Sequence, residues 1–188
     1  MREMKRFLKD EEGNVLIMFA GSMILIAFFL GILIDVSMIY MDNNAMQNLL
    51  QIIREERFTH QDTIRYSDNP AVETYKIARE SALENGFDGE IKVYFKEDMP
   101  EIDRSFRSYK VKILLRKESP FYFGRIFGLD TIALGAGLDG GESYGDGSLD
   151  VIWYPPMNAS GYNGSYLGNM AEAGYIYDSF DDTPPGGW

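Results

Sequence analysis

Few residues of this chain could carry out chemistry. His60 is the only histidine, and it lies in the polar stretch Thr59–Asn69. A lone histidine in a loop is far more often a solvated side chain than a catalytic base, and no serine or cysteine nucleophile motif accompanies it. The chain has no cysteine, which excludes disulfides, zinc–thiolate sites and cysteine nucleophiles. We therefore expect a protein that is not an enzyme and carries no cofactor.

One acidic segment, Asp139–Asp150 (DGGESYGDGSLD), has the composition of a calcium-binding loop. In an EF-hand the third position supplies an oxygen ligand and the twelfth is glutamate. Here those positions are Gly141 and Asp150, so the spacing does not fit. We interpret the segment as a flexible acidic linker that holds no metal, and calcium binding is the alternative. Its four acids are Asp139, Glu142, Asp146 and Asp150.

The element that must position everything else is the apolar run Val15–Ile34. It has no charge and one hydroxyl, on Ser22. At about 1.5 Å per residue, a helix of this length covers the roughly 30 Å hydrocarbon core of a bilayer, and it satisfies its own backbone there. A secretory signal peptide is shorter and ends at a small-x-small cleavage site, which Ile32–Val36 does not offer. The run predicts a retained transmembrane helix.

The charges around this run predict its orientation. Four basic residues precede it, and none follows until Arg54. By the positive-inside rule, the N-terminus stays in the cytoplasm and the rest is exported. We thus expect a single-pass protein of the cytoplasmic (inner) membrane with an extracytoplasmic C-terminal domain. The net charge of −11 argues against nucleic acid as a partner, because phosphate binding needs a basic surface. The preceding basic residues are Arg2, Lys5, Arg6 and Lys9.

The helix is predicted to continue beyond the membrane. After Asp35 the apolar residues recur at spacings of three, four and seven, and polar residues fill the other faces. We expect Met46, Leu50 and Ile53 to bury the domain's own sheet rather than contact a partner helix. The chain then divides into a cytoplasmic leader, the long helix, a small exported domain and an acidic tail, with boundaries 1–13, 14–57, 58–138 and 139–188.

The exported domain is predicted to be α+β. After the polar loop, Asn69 is placed to cap a helix that starts at Pro70 and stops at Gly86. Three stretches of alternating polarity predict strands. The simplest arrangement is an antiparallel sheet of three or more strands packed on the two helices. The predicted strands are Glu90–Lys96, Ser108–Arg116 and Thr131–Leu138.

In the first of these strands the alternation separates two faces. Ile91, Val93 and Phe95 are expected on the buried face, and Tyr94 on the polar one. An aromatic segment, FYFGRIFGL, follows Pro120. It could be a membrane-surface anchor or a short helix that plugs the sheet, and we favour the plug. Its apolar residues are Phe121, Tyr122, Phe123, Ile126 and Phe127.

The tail, residues 139–188, differs in composition from the rest. It holds ten of the 19 glycines and six of the 12 tyrosines, with eight acids and no lysine or arginine. Leu149–Tyr154 (LDVIWY) is a candidate strand. We expect the remainder to be loop-like, or disordered until it meets a partner. Aromatic side chains supply contact area at low entropic cost, so the candidate partner contacts are Tyr144, Trp153, Tyr154, Tyr162 and Tyr166.

A loose pattern runs through the N-terminal half. It consists of Gly13-Asn14-Val15 opening the apolar run, Phe19-Ala20 within it, Asp35 closing it, Tyr40 one turn later, and Gln47-Asn48 further along. Later, the segment 111–138 has a strand, a proline with aromatics, Phe127-Gly128 and another strand. This order, over roughly residues 10 to 138, resembles the TadE/TadG-like proteins of the tight-adherence (Tad/Flp-type) pilus system.

The resemblance implies a minor pilin-like or assembly component of that system, with a structural role. Its partners would be the lipid bilayer, other single-span pilin-like proteins and an inner-membrane assembly platform. Gly21, Ser22 and Gly31 would let neighbouring membrane helices approach closely. Asp35 would mark the exit from the bilayer, pair with a neighbour's cation or simply be solvated. The alternative function is a membrane-anchored binding or adhesion module that uses the aromatic tail.

Type IV pilin precursors also carry a short basic leader that ends in glycine before an apolar helix. In those precursors a glutamate normally stands five residues after the glycine. Here that position is Met18. We therefore expect no cleavage after Gly13.

Overall fold

The computed structural model describes residues 11–98, 107–144, 161–171 and 176–188. Within these residues the chain is an α+β protein, as predicted, and its strands form one five-stranded antiparallel sheet. The helices are α1 (Glu11–Thr59), α2 (Gln61–Tyr66) and α3 (Pro70–Glu84), with a 3-10 helix at Gly124–Phe127. The strands are β1 (Glu90–Asp98), β2 (Arg107–Pro120), β3 (Thr131–Tyr144), β4 (Asn163–Asn169) and β5 (Ile176–Phe180).

The long helix α1 is continuous from Glu11 to Thr59, close to the predicted range of 14–57. Within the described residues it is the one helix long and apolar enough to cross a membrane. Its apolar stretch is exposed on most faces, with Leu16 and Ile24 each 71% exposed. Such a surface is stable in lipid and unfavourable in water. The helix therefore indicates a single-pass membrane protein.

The chain divides into two compact units. We call the first the helical unit, made of Met1–Met41 and Ser119–Ile132. The second, which we call the sheet unit, is made of Asp42–Glu118 and Ala133–Trp188. Helix α1 thus begins in the helical unit and ends in the sheet unit.

In the sheet unit, β1 is the central strand of the order β3-β2-β1-β4-β5. It pairs antiparallel with β2, where Val93 faces Ile113, and with β4, where Val93 faces Tyr166. Side chains from this sheet, from α3 and from the second part of α1 form one apolar core. As predicted, Met46, Leu50 and Ile53 lie in it, and each is 1% exposed.

The prediction of a helix is confirmed at α3, whereas α2 was not predicted. The Asn69 side chain accepts a hydrogen bond from the Val72 amide at 3.1 Å, and Pro70 opens the helix. In contrast, the polar stretch expected to be a loop contains the six-residue helix α2. Ile64 of α2 is fully buried. Burial of one apolar side chain can hold a helix that is too short to be stable alone, and no periodicity can reveal it.

The tail contributes two strands where loop had been expected. β4 and β5 pair with each other and extend the sheet beyond β1. Without β4, the central strand would present unpaired backbone groups along one edge, which folded proteins avoid. The expectation of a loop-like tail is therefore wrong for residues 163–169 and 176–180. The candidate strand Leu149–Tyr154 lies outside the described residues.

The C-terminal residues also change the second face of the sheet. The Lys92 ammonium pairs with the Asp182 carboxylate at 2.6 Å, and the Lys112 ammonium donates to the Pro185 carbonyl at 3.0 Å. Lys92 also lies over the Tyr94 ring, 4.7 Å from its centroid. Tyr94 therefore lies on the predicted face, beside Lys92, but it is only 4% exposed. Sequence alternation assigns the face and cannot anticipate a distant C-terminal segment that binds to it.

Candidate functional site: Asp35 and the aromatic turn

The most specific polar arrangement in the helical unit surrounds Asp35. Its Oδ1 accepts hydrogen bonds from the amides of Tyr122 at 2.8 Å and Phe123 at 3.0 Å. Its Oδ2 accepts from the amides of Gly124 at 2.7 Å and Phe123 at 3.1 Å. We call the segment that supplies these amides, residues 121–129 between β2 and β3, the aromatic turn. A carboxylate from α1 thus caps the start of the 3-10 helix Gly124–Phe127.

This cap differs from two of the three roles expected for Asp35, and its role as the exit from the bilayer stays a prediction. The side chain is only 5% exposed, and its acceptors are used by three backbone amides of its own chain. Bonds from amides to an ionised carboxylate are among the stronger hydrogen bonds in proteins. The first amides of a helix have no intrahelical acceptor, so the carboxylate satisfies donors that would otherwise be orphaned. Simple solvation and pairing with a neighbour's cation therefore do not describe Asp35 in this structure.

The same face of α1 holds the aromatic turn by packing. Phe28, Gly31 and Asp35 follow one another at spacings of four or three and share one side of the helix. The Phe123 ring lies directly on Gly31, where a Cβ atom would collide with it. The Phe28 ring meets the rings of Phe123 and Phe127 edge-on, with centroids 6.1 and 5.6 Å apart. Gly31 therefore permits close packing within the chain.

The other two residues predicted for helix packing remain open to the surroundings. An added Cβ at Gly21 would meet nothing within 4 Å. The Ser22 hydroxyl donates to the Phe19 carbonyl at 2.7 Å, within its own helix. The predicted packing against other membrane helices stays a prediction for these two positions. At Gly31 the structure places an intramolecular partner instead.

The apolar side chains of the aromatic turn are largely exposed, unlike those of a buried plug. The apolar core of the sheet unit contains none of its side chains, and four of them face outward. Their exposed fractions are 58% for Tyr122, 71% for Ile126, 59% for Phe127 and 55% for Leu129. The favoured plug was therefore wrong, although the short helix itself is present. Four side chains of α1 already occupy that core: Met46, Leu49, Leu50 and Ile53.

The remaining pattern residues of α1 lie on its surface or in its backbone. Gly13 is inside the helix, Tyr40 is 64% exposed, and Gln47 and Asn48 are exposed. These four make no contribution to the core of the sheet unit. Any role for them in recognition remains a prediction.

The predicted partner contacts in the tail fall into two groups. Tyr162 and Tyr166 are each 5% exposed and stack on one another with centroids 5.2 Å apart. They belong to the core and do not offer contact area, which corrects their predicted role. Tyr144 ends β3, and Trp153 and Tyr154 lie outside the described residues. A partner role for these three stays a prediction.

The buried tyrosines do not form a base. The Tyr162 hydroxyl donates to the Asp178 carboxylate at 2.7 Å. Burial first, and then this hydrogen bond, raise the pKa of Tyr162 well above its ordinary value. Burial also raises the pKa of Tyr166. Both phenols are thus neutral near pH 7 and act as packing and hydrogen-bonding groups.

The remaining candidates for chemistry are solvated or structural. His60 is 51% exposed and lies 3.5 Å from Glu56 on the preceding turn. Asp139 is 77% exposed and lies 3.2 Å from Lys112. Among the described residues, no group of three or more histidines, cysteines or acids is placed to hold a metal ion. Asp146 and Asp150 of the acidic segment fall outside the described residues.

A groove of the sheet unit is lined by charged residues of both signs together with small and apolar residues. Lys117 in it pairs with Asp88 at 3.1 Å and with Asp42 at 3.6 Å. These contacts raise the pKa of Lys117 although partial burial opposes them. None of the described lining residues is a serine, cysteine or histidine.

What distinguishes this chain is therefore the apolar helix with the aromatic turn tied to it. Compared with known proteins, the chain matches no family model, no curated protein and no solved structure.

Proposed function

We propose that this protein is a membrane-anchored, non-enzymatic component of a Tad/Flp-type pilus assembly or secretion machinery. It acts through helix packing and domain contacts. The observation that carries the proposal is that the two parts of α1 lie in different environments. The first part is apolar and exposed, with Leu16 at 71%, and the second part, with Leu50 at 1%, is built into the core of a small α+β domain. A helix that anchors a domain and also forms part of it is a mechanical element.

The resemblance to TadE/TadG-like proteins supplies the finer assignment. Its pattern residues beyond the apolar run, Tyr40, Gln47 and Asn48, are exposed rather than consumed by the fold. They are available to contact other single-span proteins or an inner-membrane platform. In this proposal the N-terminus lies in the cytoplasm and the sheet unit lies outside. Gly21 and Ser22 provide the surface on which a neighbouring membrane helix packs.

Site-specific photo-crosslinking in the native host tests the proposal. A photoreactive amino acid at Gly21 starts from open space, because an added Cβ atom there meets nothing within 4 Å outside the local helix backbone. A second one at exposed Tyr40 samples the region just beyond the apolar run. We expect both to yield adducts with other single-span proteins or with a multi-span platform protein. Deleting the gene should abolish surface filaments, and the wild-type gene should restore them.

Normal filaments in the deletion strain, with no protein adduct from either position, would overturn the assignment to a pilus machinery. Each variant that contains the photoreactive amino acid counts as functional if it restores filaments to the deletion strain. The same variant kept without ultraviolet light is the matched control for adduct formation. Adducts from Tyr40 alone would leave the proposal standing but would move the partner contact out of the bilayer.

The adhesion module remains a second candidate because of one observation on β5. Tyr177 and Phe180 on this strand are 54% and 70% exposed. Removing the whole tail would delete β4 and β5 and damage the sheet, so it does not test this function. The double substitution Tyr177→Ser and Phe180→Ser is better suited. Loss of surface attachment with normal filament assembly would favour adhesion, whereas unchanged attachment would discard it.

A further inference from the structure

We propose that the aromatic turn is a second membrane-contacting element, embedded in the lipid interface beside α1 and held there by Asp35. This inference rests on the membrane anchorage included in the proposed function, and not on the pilus assignment. The occupant of the exposed apolar face is therefore the bilayer, rather than another protein. Three independent observations lead to this occupant.

The first observation is continuity with the apolar surface of α1. Phe123 packs on Gly31, and Phe127 packs on Phe28, so both rings lie alongside the apolar run. Phe28 precedes Asp35 by seven residues, which is about 10 Å along a helix. A turn that reaches Phe28 must enter the same layer of lipid as the helix segment it covers. Its outward side chains, such as Ile126, then extend the lipid-facing surface of α1.

The second observation is the internal satisfaction of the turn's backbone. An exposed loop in water can leave its amides to the solvent, whereas irregular backbone in lipid must satisfy them within the protein. Here seven amides of the turn have protein acceptors. Three bind Asp35, and the other four bind backbone carbonyls of the turn or of Asp130. The seven donors are those of residues 121, 122, 123, 124, 126, 128 and 129.

The third observation is the set of side chains on the outer surface. Tyr122, Ile126, Phe127 and Leu129 are all more than half exposed, which is unfavourable for so many large apolar groups in water. Tyrosine and tryptophan are enriched where hydrocarbon meets lipid headgroups, and Tyr122 is such a residue. Arg125, also exposed, can extend its aliphatic stem along the apolar surface while its guanidinium reaches the phosphates. This composition matches an interfacial lipid environment.

Depth-dependent quenching on the full-length chain tests this proposal directly. The chain has no cysteine, so single cysteines can be labelled uniquely with an environment-sensitive fluorophore. The test position is Ile126→Cys, the lipid reference is Leu25→Cys on α1, and the aqueous reference is Glu84→Cys at the end of α3. All three side chains are exposed. The labelled proteins are reconstituted in vesicles of phosphatidylcholine and phosphatidylglycerol.

Two quenchers report the environment of each label: a nitroxide on the lipid acyl chain and aqueous iodide. We expect the label at 126 to behave like the label at 25, with several-fold stronger lipid quenching and several-fold weaker iodide quenching than at 84. A label at 126 that behaves like the one at 84 would overturn the inference. The anchor would still stand if the label at 25 were quenched by lipid.

Water exposure of the label at 25 would instead refute the membrane anchor, and with it the proposed function. Shielding of the label at 126 from both quenchers would mean that a protein covers the turn, which also overturns the lipid assignment. Repeating that measurement at lower protein-to-lipid ratio then identifies the cover. A second copy of this chain would dissociate and release the label to lipid, and a different segment of the same chain would not.

Discussion

Two phenylalanines show how differently the two units use the same chemistry. Phe95, in the central strand of the sheet unit, is fully buried and stacks on Tyr109 with ring centroids 4.9 Å apart. Phe29, on α1 in the helical unit, is 61% exposed. The sheet unit buries the apolar side chains of its core between its own sheet and helices. The helical unit can hide them only in an apolar solvent, so the comparison separates a folded core from an anchor.

The largest effect should come from truncating the buried ring. We expect Phe95→Ala to lower the free energy of unfolding of the sheet unit by roughly 3–5 kcal/mol, the usual cost of removing a buried phenylalanine. Urea unfolding of the full chain in lipid nanodiscs, followed by near-ultraviolet circular dichroism, measures it. Phe29→Ala is the matched control and should leave this unfolding transition unchanged. Equal destabilisation by both substitutions would contradict the separation between core and anchor.

A smaller, local effect should follow from removing the cap at Asp35. The Asp35→Ala substitution leaves the amides of Tyr122, Phe123 and Gly124 without their acceptor. We expect hydrogen exchange at these three amides to accelerate by about tenfold or more, because local opening no longer breaks strong hydrogen bonds. Hydrogen exchange with mass spectrometry on the chain in nanodiscs measures the change.

The control for this measurement is Asp42→Ala, seven residues further along α1, which removes a carboxylate that pairs with Lys117 in the sheet unit. It should leave exchange at residues 122–124 unaltered. Exchange that stays slow in Asp35→Ala would show that packing of Phe123 on Gly31 suffices to hold the turn. The carboxylate would then be dispensable for the geometry.

The parts of the fold that could be predicted are those with a local signal. The length and apolarity of 15–34 define an anchor. The Asn69-Pro70 pair defines a helix start, and alternation defines β1, β2 and β3. Each of these signals is contained in about 20 consecutive residues or fewer. For the same reason, the burial of Met46 on α1 could be predicted from its spacing alone.

What could not be predicted depends on contacts between distant segments. β4 forms by pairing with the edge of β1. The sequence of β4, Asn-Gly-Ser-Tyr-Leu-Gly-Asn, has the composition of a loop. Asp35 and Gly124 are 89 positions apart, so no spacing links them. A signal for the site was nevertheless present: a lone acid at the end of an apolar run, and a second apolar segment outside the predicted strands. Considering the two together would have suggested a pair.

The smallest effect should come from the partly exposed ion pair that ties the C-terminal residues to the sheet. Hydrogen bonds from Lys92 and Ser165 hold the pKa of Asp182 below its ordinary value of 3.8. Burial lowers the pKa of Lys92, but the hydrogen bonds and charge interactions with Asp182 and Tyr94 together outweigh burial, so the pKa is raised above 10.5. Their side chains are 30% and 29% exposed, so we expect a contribution of only about 0.2–1 kcal/mol to the free energy of unfolding.

The directions of these shifts fix the pH dependence. Because the pKa of Asp182 is lower in the folded state, its stabilisation is fully present above pH 3.8 and is lost as the pH falls through the lowered value. Because the pKa of Lys92 is higher in the folded state, its stabilisation is present below pH 10.5 and is lost as the pH rises through the raised value. Urea unfolding across both pH ranges measures this dependence. Asp182→Asn should remove the loss at low pH and reduce the loss at high pH, because Tyr94 also raises the pKa of Lys92. The neighbouring Asp181→Asn, at an exposed position with φ of 60° that asparagine tolerates, should keep them. If Asp182→Asn still loses the same free energy of unfolding at low pH, the responsible carboxylate lies elsewhere in the sheet unit.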